Sequence, residues 1–248
     1  SPGFYSVKLD KHNIHARLTC TKRAGIHEYS FNKNGPSHII LDLLHRDKLV
    51  GDSIGLVSNK EIVGKRISKA WASEQHVYFV IQFSKEFEKS ELDSSGKKMA
   101  FTFTTDADEK LLVKVGLSAV SIDGARKNLN EEASHWNFDE YKAEASSIWE
   151  DALSKIEIED DKEDKKVIFY TALYHSMIAP NIFSDIDGKY RGMDRQVHQS
   201  DHAVYTVFSL WDTFRATHPL FTIIERERSI DFIKTFLKQY QDRSEERR

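Results

Sequence analysis

The hydrophobic pattern of the chain changes its period once, close to Asp123-Gly124, and this change constrains the fold more than any other feature. From Phe4 to about Val120, apolar residues recur at every second position in short runs separated by turn residues, which is typical of β-strands. Beyond Gly124 they recur at steps of three and four, which is typical of helices. The sequence therefore predicts a β domain followed by an α-helical region.

The first half of the chain contains many short apolar runs with no helical pattern between them. These runs include Ser37–Leu44, Lys65–Trp71, His76–Phe83, Met99–Thr104 and Leu111–Val120. Two stretches, His76–Phe83 and Leu111–Val115, are largely apolar on both faces, as strands are when both sides of their sheet are covered. Many short strands without intervening helices indicate an antiparallel β-sandwich.

The helical pattern in the second half predicts four helices, over about Phe138–Ile158, Glu163–Ala179, Val207–Thr217 and Glu227–Tyr240. Between the second and third helices, Asp187-Gly188 predicts a tight hairpin. The chain thus divides into a sandwich domain at 1–122, incomplete at its start, a linker at 123–136, and an incomplete helical domain at 137–248. Four helices with long connections are few for a self-contained helical domain, so we expect only the beginning of one.

Charge and cysteine content exclude several classes of protein. The 36 Lys and Arg residues nearly balance the 39 Asp and Glu residues, which argues against a nucleic-acid partner because phosphate binding needs a basic excess or a basic face. The single cysteine, Cys20, can form no intrachain disulfide. No apolar stretch approaches the roughly 18 residues of a transmembrane helix.

Short catalytic and metal-binding motifs give no site. The sequence has no pair of cysteines for zinc and no Gly-x-Ser-x-Gly segment, and His27-Glu28 lacks the second histidine of a zinc protease. Asp185-x-Asp187-Gly188 resembles the start of a calcium loop, but its glycine comes at the fourth position instead of the sixth. We therefore interpret that segment as a hairpin.

One segment, Val207–Arg215, combines side chains that suit a sugar. On a helix, Trp211, Asp212 and Arg215 occupy neighbouring positions, so an indole, a carboxylate and a guanidinium lie near each other. An indole offers an apolar surface for a pyranose ring, and the two charged groups can bind vicinal hydroxyls. The same pattern is also typical of an Asp212–Arg215 ion pair under a core tryptophan, and the pattern alone favours that interpretation.

Three blocks in order, Phe169–Met177, Asp185–Asp194 and Tyr205–Arg215, resemble glycoside hydrolase family 92, the calcium-dependent exo-α-mannosidases. Upstream segments resemble the N-terminal domain of the same family: Phe4–Val7, His38–Arg46 and Val115–Val120. The similarity covers nearly the whole chain and fades after about Tyr240. It implies a β-sandwich followed by the first helices of a six-hairpin α/α toroid.

The resemblance also implies an activity and a substrate. Members of the family remove terminal mannose from glycans such as N-glycans with inversion, and an α-1,2-mannosidase type is the expectation for this chain. Calcium, a hard cation that takes oxygen ligands, would hold sugar hydroxyls. The resemblance further implies export to the periplasm or the cell exterior.

By resemblance, the terminal-mannose subsite includes Trp211, Asp212 and Arg215. Trp211 would pack on the sugar, Asp212 would accept hydrogen bonds from its hydroxyls, and Arg215 would donate to it or orient Asp212. The matching block that contains Tyr190, Arg191 and Asp194 provides a second tier of substrate-site candidates without individual roles.

The sequence departs from the family after Tyr240. The family's general acid, general base and most calcium ligands lie in the later part of the toroid, and residues 241–248 do not match it. We therefore expect a fragment truncated at both ends, with no catalytic residue or metal ligand in this chain and no turnover by the isolated chain. Two alternatives remain open: a non-catalytic carbohydrate-binding protein built on the same sandwich, and a structural remnant that neither binds nor cleaves.

Overall fold

The computed structural model describes residues 1–245 and, among these, the side chains up to Arg243. Contacts between Cα atoms divide the chain into two compact units, Gly3–Ala145 and the part from Ser146 onward. The strands are β1 (Phe4–Leu9), β2 (Ile14–Cys20), β3 (Ala24–Phe31), β4 (Gly35–Asp42), β5 (Lys48–Ser58), β6 (Glu61–Lys69), β7 (Gln75–Phe83), β8 (Lys89–Leu92), β9 (Lys98–Thr105), β10 (Lys110–Ser118), β11 (Asn181–Ile182), β12 (Lys189–Arg191), β13 (Val197–Gln199) and β14 (Tyr205–Thr206). The helices are α1 (Ile122–Glu132), α2 (Phe138–Leu153), α3 (Glu163–Ser176), α4 (Leu210–Thr213), α5 (Thr217–Ile224) and α6 (Arg226–Glu245).

The first unit is the predicted antiparallel sandwich. Its larger sheet has the strand order β1-β2-β3-β10-β7-β6-β5, and its smaller sheet has the order β4-β9-β8. Phe83 on β7 lies between the sheets with Phe101 and Phe103 on β9, at ring-centroid distances of 5.3 and 5.2 Å. On β9, buried positions alternate with half-buried ones from Met99 to Phe103, which is the pattern that the sequence predicts. The fold class is therefore confirmed.

The outer face of the larger sheet is covered by α1. Ala125 and Leu129 of α1 are fully buried with Ile26 and Val80. A Cβ atom on Gly116 of β10 would lie 2.5 Å from the Ala125 carbonyl oxygen, so only glycine allows this close approach. The apolar residues on both faces of β7 and β10 are thereby explained, because one face meets the smaller sheet and the other meets α1.

The segment 123–136, which the sequence predicts to be a linker, holds most of α1. Ser121 caps the helix, because its hydroxyl oxygen accepts a hydrogen bond from the Gly124 N–H at 3.0 Å. Its buried face consists of Gly124, Ala125, Asn128 and Leu129, so few large apolar residues mark this helix in the sequence.

The second unit has its own core of helices and short strands. Leu173 of α3, Phe221 of α5 and Phe232 of α6 are buried there with Tyr205 of β14. Thr235 on α6 ties β14 to the helix, because its Oγ1 accepts a hydrogen bond from the Tyr205 N–H at 3.3 Å. Between residues 1 and 245, none of the helices combines the length and the apolar character needed to cross a bilayer.

Two predictions in the second unit are wrong in detail. The predicted helix over Val207–Thr217 is instead α4, of four residues, followed by α5. Val207 has a φ of 64°, and Ala216 has φ and ψ of −133° and −61°, so neither residue continues a helix. A turn does occur at Asp187-Gly188, but the strands flanking it do not pair with each other: β11 pairs with β14, and β12 pairs with β13.

Candidate functional site

The carboxylate of Asp212 is anchored at the start of α4. The hydroxyl of Ser209, the residue before the helix, donates a hydrogen bond to Asp212 Oδ2 at 2.8 Å, and the Asp212 N–H donates to the Ser209 carbonyl oxygen at 2.9 Å. Thr213 Oγ1 donates to the same carbonyl oxygen at 3.0 Å. Asp212 itself is exposed. The Ser209 bond thus orients the exposed carboxylate through Oδ2.

Trp211 is not a core residue. Its side chain is 89% exposed, and Val207, Leu210 and Phe214 around it are about half exposed. An indole exposed to this extent contributes little to the stability of the fold. Its position is compatible with a surface that binds the apolar face of a pyranose. Within residues 1–245, Trp211 is therefore not buried as the alternative interpretation expects.

Arg215 does not pair with Asp212. Within residues 1–245, no nitrogen of Arg215 lies within 4.0 Å of an Asp212 carboxylate oxygen. The guanidinium carbon of Arg215 instead lies 5.1 Å from the centroid of the Phe214 ring. The structure thus keeps the acceptor of Asp212 and the donors of Arg215 separate, and each is open to a ligand.

The second-tier candidates lie on the hairpin formed by β12 and β13. Tyr190 is 2% exposed, and its hydroxyl donates to the carboxylate of Asp242 on α6 at 3.3 Å. Arg191 Nη1 donates to the Arg195 carbonyl oxygen at 2.8 Å. Asp194 lies 3.0 Å from His198 Nε2. These three side chains make contacts inside the second unit, in contrast with the open α4 segment.

The sequence analysis did not identify two members of this cluster, His198 and Asp242. His198 follows Asp194 by four residues, a spacing that signals a local pair only once the turn between β12 and β13 is known. Asp242 is 48 positions beyond Asp194 on a different element, so no local pattern signals the contact.

The two aspartates of this cluster have pKa values displaced in opposite directions. Burial raises the pKa of Asp242, and the Asp194 carboxylate adds to this shift, while His198, the Tyr190 hydroxyl and the Met193 N–H oppose it. Burial also favours the neutral form of Asp194, but the Gln196 N–H and His198 outweigh it and hold the Asp194 pKa below its ordinary value.

One group of possible metal ligands occurs among residues 1–245: His135, Glu140 and Glu144 near the start of α2. It does not fit calcium, which takes six to eight oxygen ligands, because one of its three groups is an imidazole. That imidazole stacks on Tyr141 with 4.1 Å between ring centroids, and its Nδ1 accepts a hydrogen bond from the Asn137 N–H. We assign no metal ligand to these residues.

Solved structures share this fold over nearly all of the chain. The family GH92 alpha-mannosidase BT3965 from Bacteroides thetaiotaomicron is 31% identical, with a TM-score of 0.89, and the match covers 97% of this chain and 35% of that chain. The family GH92 inverting mannosidase BT2199 from the same species is 25% identical, with a TM-score of 0.87. This match covers 98% of this chain and 35% of that chain.

A curated relative, an uncharacterized secreted glycosidase from Arthroderma benhamiae, is 24% identical over 222 residues, which cover 74% of this chain and 29% of the relative. The chain thus spans about a third of the length of the relatives that it matches. Residues 1–118 match the glycosyl hydrolase family 92 N-terminal domain, and residues 124–246 match the glycosyl hydrolase family 92 catalytic domain. The two matches follow the order of the sandwich and the helices, and the chain belongs to glycosyl hydrolase family 92.

Proposed function

We propose that this chain forms part of an exo-acting, inverting α-mannosidase of the α-1,2 type that removes terminal mannose from glycans such as N-glycans. The observation that carries the proposal is the α4 segment, where a tryptophan exposed to solvent stands beside an aspartate oriented by Ser209. The chain belongs to glycosyl hydrolase family 92, and this membership supports glycoside hydrolysis as the class of reaction.

Two relatives support the substrate and the stereochemistry. BT3965 has been solved in complex with mannoimidazole, and BT2199 is described as an inverting mannosidase. In an inverting hydrolase one carboxylic acid protonates the leaving oxygen and a carboxylate activates water on the opposite face of the sugar. We propose neither role for a residue of this chain, and we expect no turnover from residues 1–248 alone.

The proposed part of this chain is to bind and orient the terminal sugar. Trp211 packs against the apolar face of the pyranose, and Asp212 accepts a hydrogen bond from a ring hydroxyl. Arg215 donates to a neighbouring hydroxyl, with Phe214 under its guanidinium limiting the orientations that this side chain can take. Groups fixed in this way lower the entropy lost when the sugar binds.

Calcium and export are further parts of the proposal. The family resemblance implies a calcium ion, and we expect its main ligands outside the residues described, because the one candidate cluster does not fit it. Export to the periplasm or the cell exterior is supported by the secreted glycosidase from Arthroderma benhamiae.

The test is Asp212→Asn in the whole enzyme, assayed with an aryl α-mannoside. An amide keeps the shape of the side chain but replaces an ionised acceptor, so we expect kcat/KM to fall by about a hundredfold or more, which is about 2.7 kcal/mol of transition-state stabilisation. The matched control is Asp201→Asn, because the Asp201 side chain is 95% exposed and pairs with His202 next to it.

The control variant should retain the kcat/KM of the original enzyme. Equal activity of the Asp212→Asn variant and the original enzyme would contradict the subsite assignment. Complete absence of α-mannosidase activity in the original enzyme, together with measurable binding of mannose, would favour the carbohydrate-binding alternative.

A further inference from the structure

Three ionisable side chains meet where the β12–β13 hairpin lies against α6. His198 Nε2 is 3.0 Å from both carboxylate oxygens of Asp194 and 3.9 Å from Asp242 Oδ1. The Tyr190 hydroxyl completes the group, at 3.3 and 3.4 Å from the two oxygens of Asp242. One imidazole is therefore shared by two carboxylates that come from different elements.

The backbone at Gly192 makes this arrangement possible. A Cβ atom there would lie 2.7 Å from Asp194 Oδ1, 2.8 Å from Asp242 Oδ2 and 2.6 Å from the His198 ring. All three distances are shorter than real Cβ contacts, so a side chain at this position would force the groups apart. Glycine allows the two carboxylates to flank the hairpin turn within reach of the same ring.

The environment disfavours two separate negative charges. The side chains of Asp194 and Asp242 are 10% and 6% exposed, and that of His198 is 25% exposed. Taking two carboxylates out of water costs free energy unless each has a cation or a proton, and one imidazole cannot fully neutralise both. Groups that interact this closely gain and lose protons as a set.

We propose that Asp194 and Asp242, bridged by His198, gain and lose protons as a coupled pair, and that this cluster, which we call the latch, holds the β12–β13 hairpin against α6 in a pH-dependent way. The ionisable groups that act on Asp242 are His198 from β13, Asp194 from the turn and Tyr190 from β12. On this account Tyr190 and Asp194 are positioning residues for the hairpin and do not bind the sugar.

The direction of the pH effect follows from the two aspartates. The pKa of Asp242 is raised on folding, so its stabilising contribution is complete below about pH 4, the ordinary range of Asp, and is lost as the pH rises through its folded value. The pKa of Asp194 is lowered, so its contribution is present above about pH 4 and is lost as the pH falls through its folded value. The latch is therefore strongest between the two folded values.

The variants Asp242→Asn and Asp194→Asn of this chain distinguish a proton-sharing latch from ordinary packing. As the pH rises from 4 to 8, we expect the Tm of Asp242→Asn to gain about 2–4 °C relative to the unaltered chain, and as the pH falls from 4 to 2, we expect that of Asp194→Asn to gain a similar amount. Asp201→Asn, at an exposed aspartate that also contacts a histidine, should keep a constant difference between pH 4 and 8, because its lowered pKa confines its titration to lower pH. A constant difference at every pH for Asp242→Asn and Asp194→Asn would overturn the proposal.

A second measurement needs no variant. The carboxyl carbon resonances of the unaltered chain, labelled with ¹³C, report the titration of each aspartate. We expect Asp242 to titrate at higher pH than Asp201, whose pKa its hydrogen bond to His202 lowers, and the Asp194 resonance to show a second inflection where Asp242 titrates. Titration of Asp242 at or below the pH of Asp201 would overturn the latch even if the variants failed to fold.

Discussion

The aromatic side chains of β9 and those of the α4 segment have opposite environments. In the sandwich, Phe101 and Phe103 are completely buried, whereas in the second unit Trp211 is 89% and Phe214 is 53% exposed. Burial of an aromatic side chain removes about 150–250 Å² from water and stabilises the fold, at roughly 25 cal/mol per Å². An exposed aromatic side chain contributes little of this. The difference indicates that the β9 aromatics stabilise the core of the sandwich, whereas Trp211 and Phe214 contribute little to the stability of the second unit.

The largest expected effect is on the free energy of unfolding when a buried aromatic residue of β9 is replaced. Phe101→Ala removes a ring that contacts Phe83 and Phe87, at centroid distances of 5.3 and 5.2 Å. We expect the free energy of unfolding to fall by about 3–5 kcal/mol, because the cavity cannot close in a packed core. Urea denaturation of the chain, followed through the unfolding of the first unit, measures this change in the free energy of unfolding.

Phe214→Ala is the matched control for that experiment, since it removes the same ring from an exposed position. Its free energy of unfolding should stay within about 0.5 kcal/mol of the unaltered chain. A loss of less than 1 kcal/mol for Phe101→Ala would contradict the assignment of this residue to the core.

A smaller effect is expected for the exposed residue Trp211, and it concerns ligand affinity instead of the free energy of unfolding. Trp211→Ala should leave the free energy of unfolding within about 0.5 kcal/mol, because the indole is almost entirely in water. In the whole enzyme the same change should weaken the binding of a mannose-like inhibitor about tenfold or more, or about 1.4 kcal/mol, since the sugar loses its apolar contact.

Calorimetric titration with mannoimidazole measures the inhibitor affinity of the Trp211→Ala variant. Trp71→Ala provides the control, because Trp71 is a fully exposed tryptophan on the β6–β7 connection of the sandwich. Equal losses of affinity in both variants would contradict a specific role for Trp211.

The sequence predicts the sandwich well because the signal is local. Alternation along β9 places Phe101 and Phe103 on one face, and the same alternation recurs in the neighbouring strands. The apolar runs of β7 and β10 also predict correctly that both faces of the sheet are covered. They do not reveal that α1 covers one of these faces, because Leu129 is the one large apolar residue among the four buried residues of this helix.

The second unit is harder to predict because its geometry depends on contacts that are distant in the sequence. Nothing in the local pattern shows that Val207 adopts a positive φ, which L residues with branched side chains rarely do. β11 pairs with β14 and β12 pairs with β13, and α6 contacts both pairs through residues far away in the sequence, Thr235 bonded to Tyr205 and Asp242 bonded to Tyr190. The sequence therefore identifies Trp211, Asp212 and Arg215 as a group but not their exposure or the absence of the ion pair.

The smallest expected effect separates orientation from contact within the α4 segment. Ser209→Ala removes the hydroxyl that donates to Asp212 Oδ2 but leaves the carboxylate in place. A single hydrogen bond contributes about 1 kcal/mol, so kcat/KM of the whole enzyme should fall about fivefold, far less than for Asp212→Asn. Thr213→Val, which removes a hydroxyl bonded only to backbone in the described residues, should change kcat/KM less. Equal effects of Ser209→Ala and Thr213→Val would show that the serine stabilises the short helix and does not orient the carboxylate.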